Sequence, residues 1–401
     1  MTTTLPDLDD PAFLTGDRSA AYRMLRDEAP VLRTGEPGYE TWILSRHEDV
    51  QAALRTTTAR VQPDGQDAPA WMPEGPARRR LRANMVQTDR PVHARLRGVV
   101  GPLFTARQSD RLRAAAAREV AAELDGLGDG GEVDAVAMAA RVPRGVLRLL
   151  IGMPDEDWAP MLRTQLDFLM IFSPFPLPPE HQARLDEVSQ FYLDYFDGLL
   201  GRLSDPPELV RRLLAAEESG ELSRDEVLSL MHTVLDAGFE TTRTSISNLV
   251  ELFATVPGLM DAVRADESRV PGVVEEALRL RAPVQMNTRI LTEELPTTDG
   301  TVVPAGARVL AVIGAANLDE RVFPDPAVAD PARANAARHL SFGGGLHHCL
   351  GAPLARVQLQ ETATALVRRF GRIDLAGPSD RHASLIFPSL AALPVRVRAA
   401  G

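Results

Sequence analysis

Lysine is absent from this chain of 401 residues, so all 44 basic positions other than histidine are arginine. The simplest cause is GC-rich codon usage, which points to a high-GC bacterium and says little about mechanism. Without lysine there is no G-x-x-x-x-G-K-[ST] phosphate loop. Cysteine occurs once, at Cys349. One cysteine excludes an intrachain disulfide and the C-x-x-C-H pattern of covalent haem attachment, and nothing here requires an oxidising compartment. Aromatic residues are only 5% of the chain, so the core must rest mostly on Leu, Val and Ala. No apolar run is long enough to span a bilayer; "FLMIFSPFPLPP" is short and broken by prolines. The opening "MTTTLPDLDD" is acidic rather than apolar, so neither a signal peptide nor an anchor is expected. The expected setting is cytoplasmic, with no membrane partner. A net charge of −11 and a pI near 5.3 argue against nucleic acid as a partner.

What is present reads mostly as helix. Apolar residues recur at helical spacing over 110–127 and 181–203. The stretch 223–256 is longer than a typical helix. Ser223 and Glu226 form a capping-box pattern at its start, and Pro257–Gly258 ends it. Its middle, "DAGFETT", is poor helix sequence. Strand signals are few: 39–45, 285–317 and 393–399. Proline-rich loops stand at 62–76 and 173–180. No repeat or linker divides the chain, so a single, mainly α domain over 1–401 with small sheets is expected.

"SFGGGLHHCLG", residues 341–351, carries the cysteine. Three consecutive neighbours, His347, His348 and Cys349, cannot easily converge on a tetrahedral zinc ion. A lone cysteine is often just a small buried hydrophobe. The surroundings favour a different role. Glycines 343–345 allow tight turns and close approach to a flat ligand. An amphipathic helix follows, with Pro353 in its first turn. The helix dipole and unpaired N–H groups there favour thiolate over thiol. A thiolate on a glycine loop, with no second cysteine, suits an axial ligand to haem iron.

The same residues resemble the F-G-x-G-x-H-x-C-x-G signature of the cytochrome P450 family, through Phe342, Gly343, Gly345, His347, Cys349 and Gly351. Glu276 and Arg279 in "EEALRL" match its E-x-x-R motif, and Arg333 would complete a Glu–Arg–Arg network. The likeness runs from about residue 17 to the C-terminus, and the soluble bacterial, actinomycete-like class fits best. The resemblance implies the P450 fold, haem b as cofactor and Cys349 as the iron ligand. It further implies that His93, Arg97, Arg289 and His347 face the haem propionates. "AGFETT" (237–242) matches the family's long-helix pattern. There Ala237 and Gly238 would let haem and dioxygen approach, and Glu240 and Thr241 would relay protons. The two threonines could bond backbone carbonyls and distort the helix.

The implied reaction is hydroxylation, epoxidation or O-demethylation of a small organic molecule in specialised-metabolite biosynthesis. Dioxygen is the oxidant, and a ferredoxin and its reductase supply the electrons. Arg356 or Arg107 would meet an acidic ferredoxin, and a monomer is expected. Alternatives are oxidative coupling or peroxide-driven oxidation on the same fold, and a haem-binding sensor without turnover. The family's pocket segments bring Met85, Val86, Phe168, Phe239, Val284, Met286, Ile386 and Phe387 forward as substrate contacts. Most are apolar, so a largely apolar substrate is expected. His348 is read as packing. Asp236 departs from the pattern, four residues before Glu240 on nearly the same helix face, where two carboxylates repel. Either it pairs with an arginine or faces water, or it binds a substrate amine or hydroxyl.

Overall fold

The computed structural model describes residues 8, 10–35, 40–63, 65–128, 130–173 and 176–399. Residue 39 of the expected first strand lies outside the described residues, as do residues 64 and 174–175 of the proline-rich loops. Among the described residues, no single helix is long and apolar enough to cross a membrane. The contacts group the chain into two compact units. One comprises residues 1–59, 110–143 and 241–401, and the other residues 60–109 and 144–240.

In the first unit, a five-stranded sheet carries the expected strands. Thr41–Leu44 runs antiparallel to Val31–Thr34 and parallel to Arg308–Val312, and Met286–Leu291 runs antiparallel to the latter. Ala59–Arg60 completes the order at the edge. Val309, Leu310, Ala311 and Val312 are all buried, the continuous apolar run of a strand covered on both faces. A second sheet sets Pro394–Ala399 between Gly130–Asp134 and Phe370–Leu375. A large apolar cluster joins the helices Val270–Leu280 and Ala352–Arg369 to the second half of the Arg224–Thr255 helix. Val273, Val274 and Ala277 meet Leu359, Ala363 and Leu366, with Ile246, Leu249 and Phe253 alongside. Each fully buried Leu, Ile or Val is worth roughly 1.5–3 kcal/mol relative to exposure, so this cluster holds the helices that frame the cysteine loop.

The second unit is helical, built from Pro76–Arg82, Val92–Val100, Trp158–Leu169, Pro179–Arg202, Glu208–Glu218 and the first half of Arg224–Thr255. Several of the scarce aromatics gather here. Trp158, Phe168, Tyr192, Phe196 and Phe239 are all buried. Trp158 packs on Phe239 at 5.1 Å, and Phe168 meets Tyr192 edge-on at 6.0 Å.

The long helix, Arg224–Thr255, opens with the expected reciprocal cap. Ser223 N donates to Glu226 Oε2 at 2.9 Å, and Glu226 N donates to Ser223 Oγ at 3.3 Å. "DAGFETT" stays helical throughout despite its low propensity. Packing overrides propensity here, because nearly every side chain from Val227 to Val250 is buried or half-buried.

Candidate active site

Cys349 is exposed, and its position is fixed by its own loop. Its N–H donates to Phe342 O at 2.8 Å, and Gly343 N donates to Leu340 O at 2.8 Å. Gly343 and Gly345 take φ of +67° and +60°, where a side chain is strained. The glycines also admit a protein neighbour. A Cβ on Gly345 would stand 2.8 Å from Leu54 O, and one on Gly344 would stand 2.8 Å from Arg55 Cγ. The loop is therefore docked against the His47–Arg55 helix, a packing role that the sequence reading had given to ligand approach. Beyond Cys349, Gly351 caps the helix Ala352–Arg369 and Pro353 lies in its first turn. His347 is half-buried at the end of the short turn Gly345–His347, whereas His348, expected to pack, is exposed.

Two adjacent glutamates brace this loop from behind. Glu276 accepts from Arg279 Nε at 2.6 Å and Nη2 at 2.9 Å, from Arg333 Nε at 3.1 Å and from Asp330 N at 3.0 Å. Arg279 spends its other donor on Asn317 O and Pro326 O. Arg333 reaches Pro324 O, Asp325 O and Val328 O. The cluster ties the segment leading into the cysteine loop to the Val270–Leu280 helix. Glu275, the neighbouring residue, takes the other side. It receives a bidentate pair from Arg356 at 2.7 and 2.8 Å, and His339 Nε2 lies 3.2 Å away. The Arg356 guanidinium sits over the Phe342 ring at 4.5 Å. Burial acts to raise the Glu275 pKa, but the bidentate Arg356 guanidinium and the nearby His339 ring outweigh it and hold the carboxyl at about 2. Arg356 holds Glu275 and lies over Phe342 with its side chain still partly exposed, and Arg107 is exposed.

Other expected residues of the first unit divide. Arg289 is buried on the Met286–Leu291 strand and donates to Thr288 O at 2.8 Å. Gln285 N donates to Ile386 O at 2.9 Å, which joins the segments carrying Val284, Ile386 and Phe387. Met286 does not belong with them. It is wholly buried in a core with Phe13, Tyr22, Leu25 and Ile43, because alternate strand residues point to opposite faces.

In the second unit, His93 and Arg97 share one face of the Val92–Val100 helix; His93 is buried and Arg97 half-buried. On the long helix, Ala237 is exposed although Leu235, Asp236, Phe239 and Glu240 around it are buried. Gly238 makes room for a protein neighbour, since a Cβ there would lie 3.1 Å from Leu147 Cδ2. Met85 is buried and Val86 is 38% exposed.

Asp236 follows neither expectation completely. It does not face water, being 8% exposed, and among the described residues its Oδ2 has no hydrogen-bond partner. Arg80 is the charge it feels. Burial pushes the Asp236 carboxyl well above the usual carboxylate range, Arg80 opposes this, and Glu240 adds to it. Arg80 is 1% exposed with its guanidinium 3.7 Å over the Phe168 ring. Among the described residues, neither Arg80 Nη1 nor Nη2 has a hydrogen-bond partner. His232 Nε2 lies 4.0 Å from Asp236 Oδ1, and its ring stacks on Tyr192 at 3.9 Å. Burial, then the nearby Arg80, holds His232 well below its ordinary pKa, so it is neutral. Arg80, His232 and Tyr192 were missed from the sequence. The signal for Arg80 was its place on the apolar face of its helix, with Ala77 and Leu81.

The donor set fits haem. A single exposed sulfur stands on a fixed loop ahead of a helix N-terminus, and Ala237 opens one small apolar spot on an otherwise covered helix. A loop of this kind is chemically suited to hold haem iron through its sulfur. A profile of the cytochrome P450 family matches residues 161–384. The chain is 33% identical over 411 aligned residues to the 6-deoxyerythronolide B hydroxylase of Saccharopolyspora erythraea, covering 98% of this chain and 99% of that one. It is 36% identical over 368 residues to the mycinamicin IV hydroxylase/epoxidase of Micromonospora griseorubida, covering 89% of each. The crystal structure of CalO2 matches with a TM-score of 0.88 and 28% identity, covering 100% of both chains. The chain belongs to the cytochrome P450 family, and it is a monooxygenase of that family with haem iron as its cofactor.

Proposed function

We propose that this monooxygenase hydroxylates, epoxidises or O-demethylates a largely apolar small molecule in specialised-metabolite biosynthesis, with haem b as cofactor. A ferredoxin and its reductase would supply the electrons. The observation that carries this reading is the exposed Cys349 sulfur on a loop braced by Glu275 and Glu276. Cys349 ligates the iron, and Phe342, Gly343, Gly345 and Gly351 shape the turn that presents it. His93, Arg97, Arg289 and His347 neutralise the two propionates through charge-assisted hydrogen bonds. Ala237 keeps the long helix slim beside the haem, while Gly238 lets that helix pack close to Leu147. Glu240 and Thr241 move protons inward, with the Thr241 hydroxyl as the last donor. Bound haem supplies oxygen activation and transfer, and the protein supplies orientation, proton delivery and exclusion of water. Met85, Val86, Phe168, Phe239, Val284, Ile386 and Phe387 give the substrate its apolar surroundings, and Asp236 gives it a polar end.

The test is the ferrous–CO spectrum of the purified protein, followed by NADH-dependent product formation with a ferredoxin and its reductase. A thiolate-type red-shifted band is expected. Its absence removes the reading at its root.

A further inference from the structure

In the first unit, Arg18 holds two distant stretches of chain together. It is 6% exposed, and its guanidinium gives four hydrogen bonds, all to backbone carbonyls. Nε donates to Phe13 O at 2.9 Å and Nη2 to Leu14 O at 2.8 Å. Nη1 donates to Leu385 O at 3.0 Å, and Nη2 also to Ser384 O at 2.6 Å. The Phe13 ring lies 4.7 Å from the guanidinium carbon, which favours the cation there.

The far end of this clamp is the loop between the paired strands Asp380–Arg381 and Leu390–Ala392, which carries Ile386 and Phe387. Three successive carbonyls of the loop are taken by groups outside it. Ser384 O and Leu385 O go to Arg18, and Ile386 O accepts from Gln285 N at 2.9 Å. Phe387 N folds back on Ser384 Oγ at 3.0 Å. Gln285 is itself held: its Nε2 donates to Ala282 O at 2.6 Å, and its Oε1 accepts from Tyr22 OH at 2.8 Å. Tyr22 stands one turn beyond Arg18 on the Ser19–Glu28 helix, whose N-cap is Arg18. One helix start therefore fixes both segments that carry Val284, Ile386 and Phe387. The packing around this link is close, since a Cβ on Gly314 would collide with Gln285 and Tyr22.

A buried charge is costly, and an apolar side chain would hold a helix to a loop by packing alone. What the guanidinium adds is direction. Its donors form a rigid fork, so the carbonyls of residues 384 and 385 must point at it, and the side chains that follow are turned a set way. We infer that Arg18 is a positioning residue for substrate specificity, fixing through the Ser384 and Leu385 carbonyls the loop from which Ile386 and Phe387 meet an apolar substrate. This rests on the reading of Ile386 and Phe387 as substrate contacts.

The test is spectral titration of the haem-loaded enzyme with imidazole and with 1-dodecylimidazole. Both bind iron through the same ring, and only the second carries an apolar chain. The quantity read is the ratio of the two affinities, which cancels effects on the haem itself. Arg18→Met should cut the advantage of the dodecyl chain about tenfold, the equivalent of losing one buried apolar contact. Imidazole alone should change by under about twofold. Arg26→Met is the control. Arg26 is also buried on this helix, but it donates to Ala315 O and Glu320 Oε2, and its ratio should stay within about twofold of the wild type. An unchanged ratio in Arg18→Met, or equal falls in the two variants, overturns the proposal, because the arginine is then a structural tie only. If Arg18→Met does not fold, Arg18→Gln is read in the same way. Phe387→Ala tests the reading beneath. A fall there without one in Arg18→Met overturns this proposal alone. No fall in Phe387→Ala, or no advantage of the dodecyl chain in the wild type, removes the loop as a substrate contact and the proposal with it.

Discussion

Glu276→Gln separates a buried ion cluster from a surface pair of the same geometry. Glu276 and Arg279 have fully buried side chains, and the Arg333 side chain is 9% exposed. The substitution keeps the size of the side chain. It removes the only carboxylate among two guanidinium groups and turns one acceptor into an N–H donor facing Arg279 or Arg333. Two buried cations are then left without a counter-charge, at a cost of about 3–5 kcal/mol. Glu267 is the control. It also holds an arginine by two bonds, from Arg368 Nε at 2.8 Å and Nη2 at 2.6 Å. That pair is open to water, with side chains 41% and 65% exposed, and such pairs contribute about 0–1 kcal/mol. The assay is urea unfolding of the haem-loaded protein, followed by far-UV circular dichroism and by the Soret band. With a slope of about 3 kcal/mol per M, Glu276→Gln should lower the midpoint by about 1–1.7 M, and Glu267→Gln by under about 0.3 M. Equal shifts for the two variants would refute the argument that burial, rather than pairing geometry, gives the cluster its weight.

Glu275 predicts an acid-labile brace. Its folded pKa of about 2 lies below the ordinary value of 4.5, so its contribution is complete above pH 4.5 and is lost as the pH falls towards 2. The contribution at neutral pH is up to about 3 kcal/mol. The stability gap between wild type and Glu275→Gln should therefore be flat above about pH 5.5 and shrink below pH 4.5; a gap that does not change with pH refutes it. Thr241→Ala should keep NADH consumption while product falls about tenfold or more, with the difference appearing as peroxide. Unchanged coupling of NADH to product would remove Thr241 from the proton path.

The cysteine loop and the E-x-x-R motif were legible because each depends on residue types at short fixed spacing. The long helix was legible from its cap: Ser223 and Glu226 mark its start by a local hydrogen-bond exchange that sequence alone encodes. The glycines show where such reading ends. Their need for positive φ is local and readable, but the neighbour that Gly345 and Gly238 admit, Leu54 and Leu147, is set by tertiary packing. Met286 failed for a related reason. The strand was found, but which face each residue takes depends on register, and one position decides between core and pocket. Glu275 was hidden beside its better-known neighbour, because its partners Arg356 and His339 come from segments far along the chain.

Asp236 shows most clearly what geometry adds to composition. From the sequence, pairing with an arginine and binding a substrate were competing readings, since an acid satisfied by an arginine has no capacity left. The structure separates proximity from satisfaction. Arg80 is near enough to oppose the rise in the Asp236 pKa, yet it makes no bond to it. Two constraints keep them apart. The Arg80 backbone is tied at Ala77 and at Ser229, and its guanidinium rests on Phe168. Asp236 sits in the interior of a helix of 32 residues, where a shift of the backbone would disturb packing on both sides. Burial raises the Asp236 carboxyl well above the usual carboxylate range while Arg80 opposes the rise, so the two are not a simple pair of opposite charges. Among the described residues, both ends keep unused hydrogen-bonding capacity at Arg80 Nη1 and Nη2 and at Asp236 Oδ2.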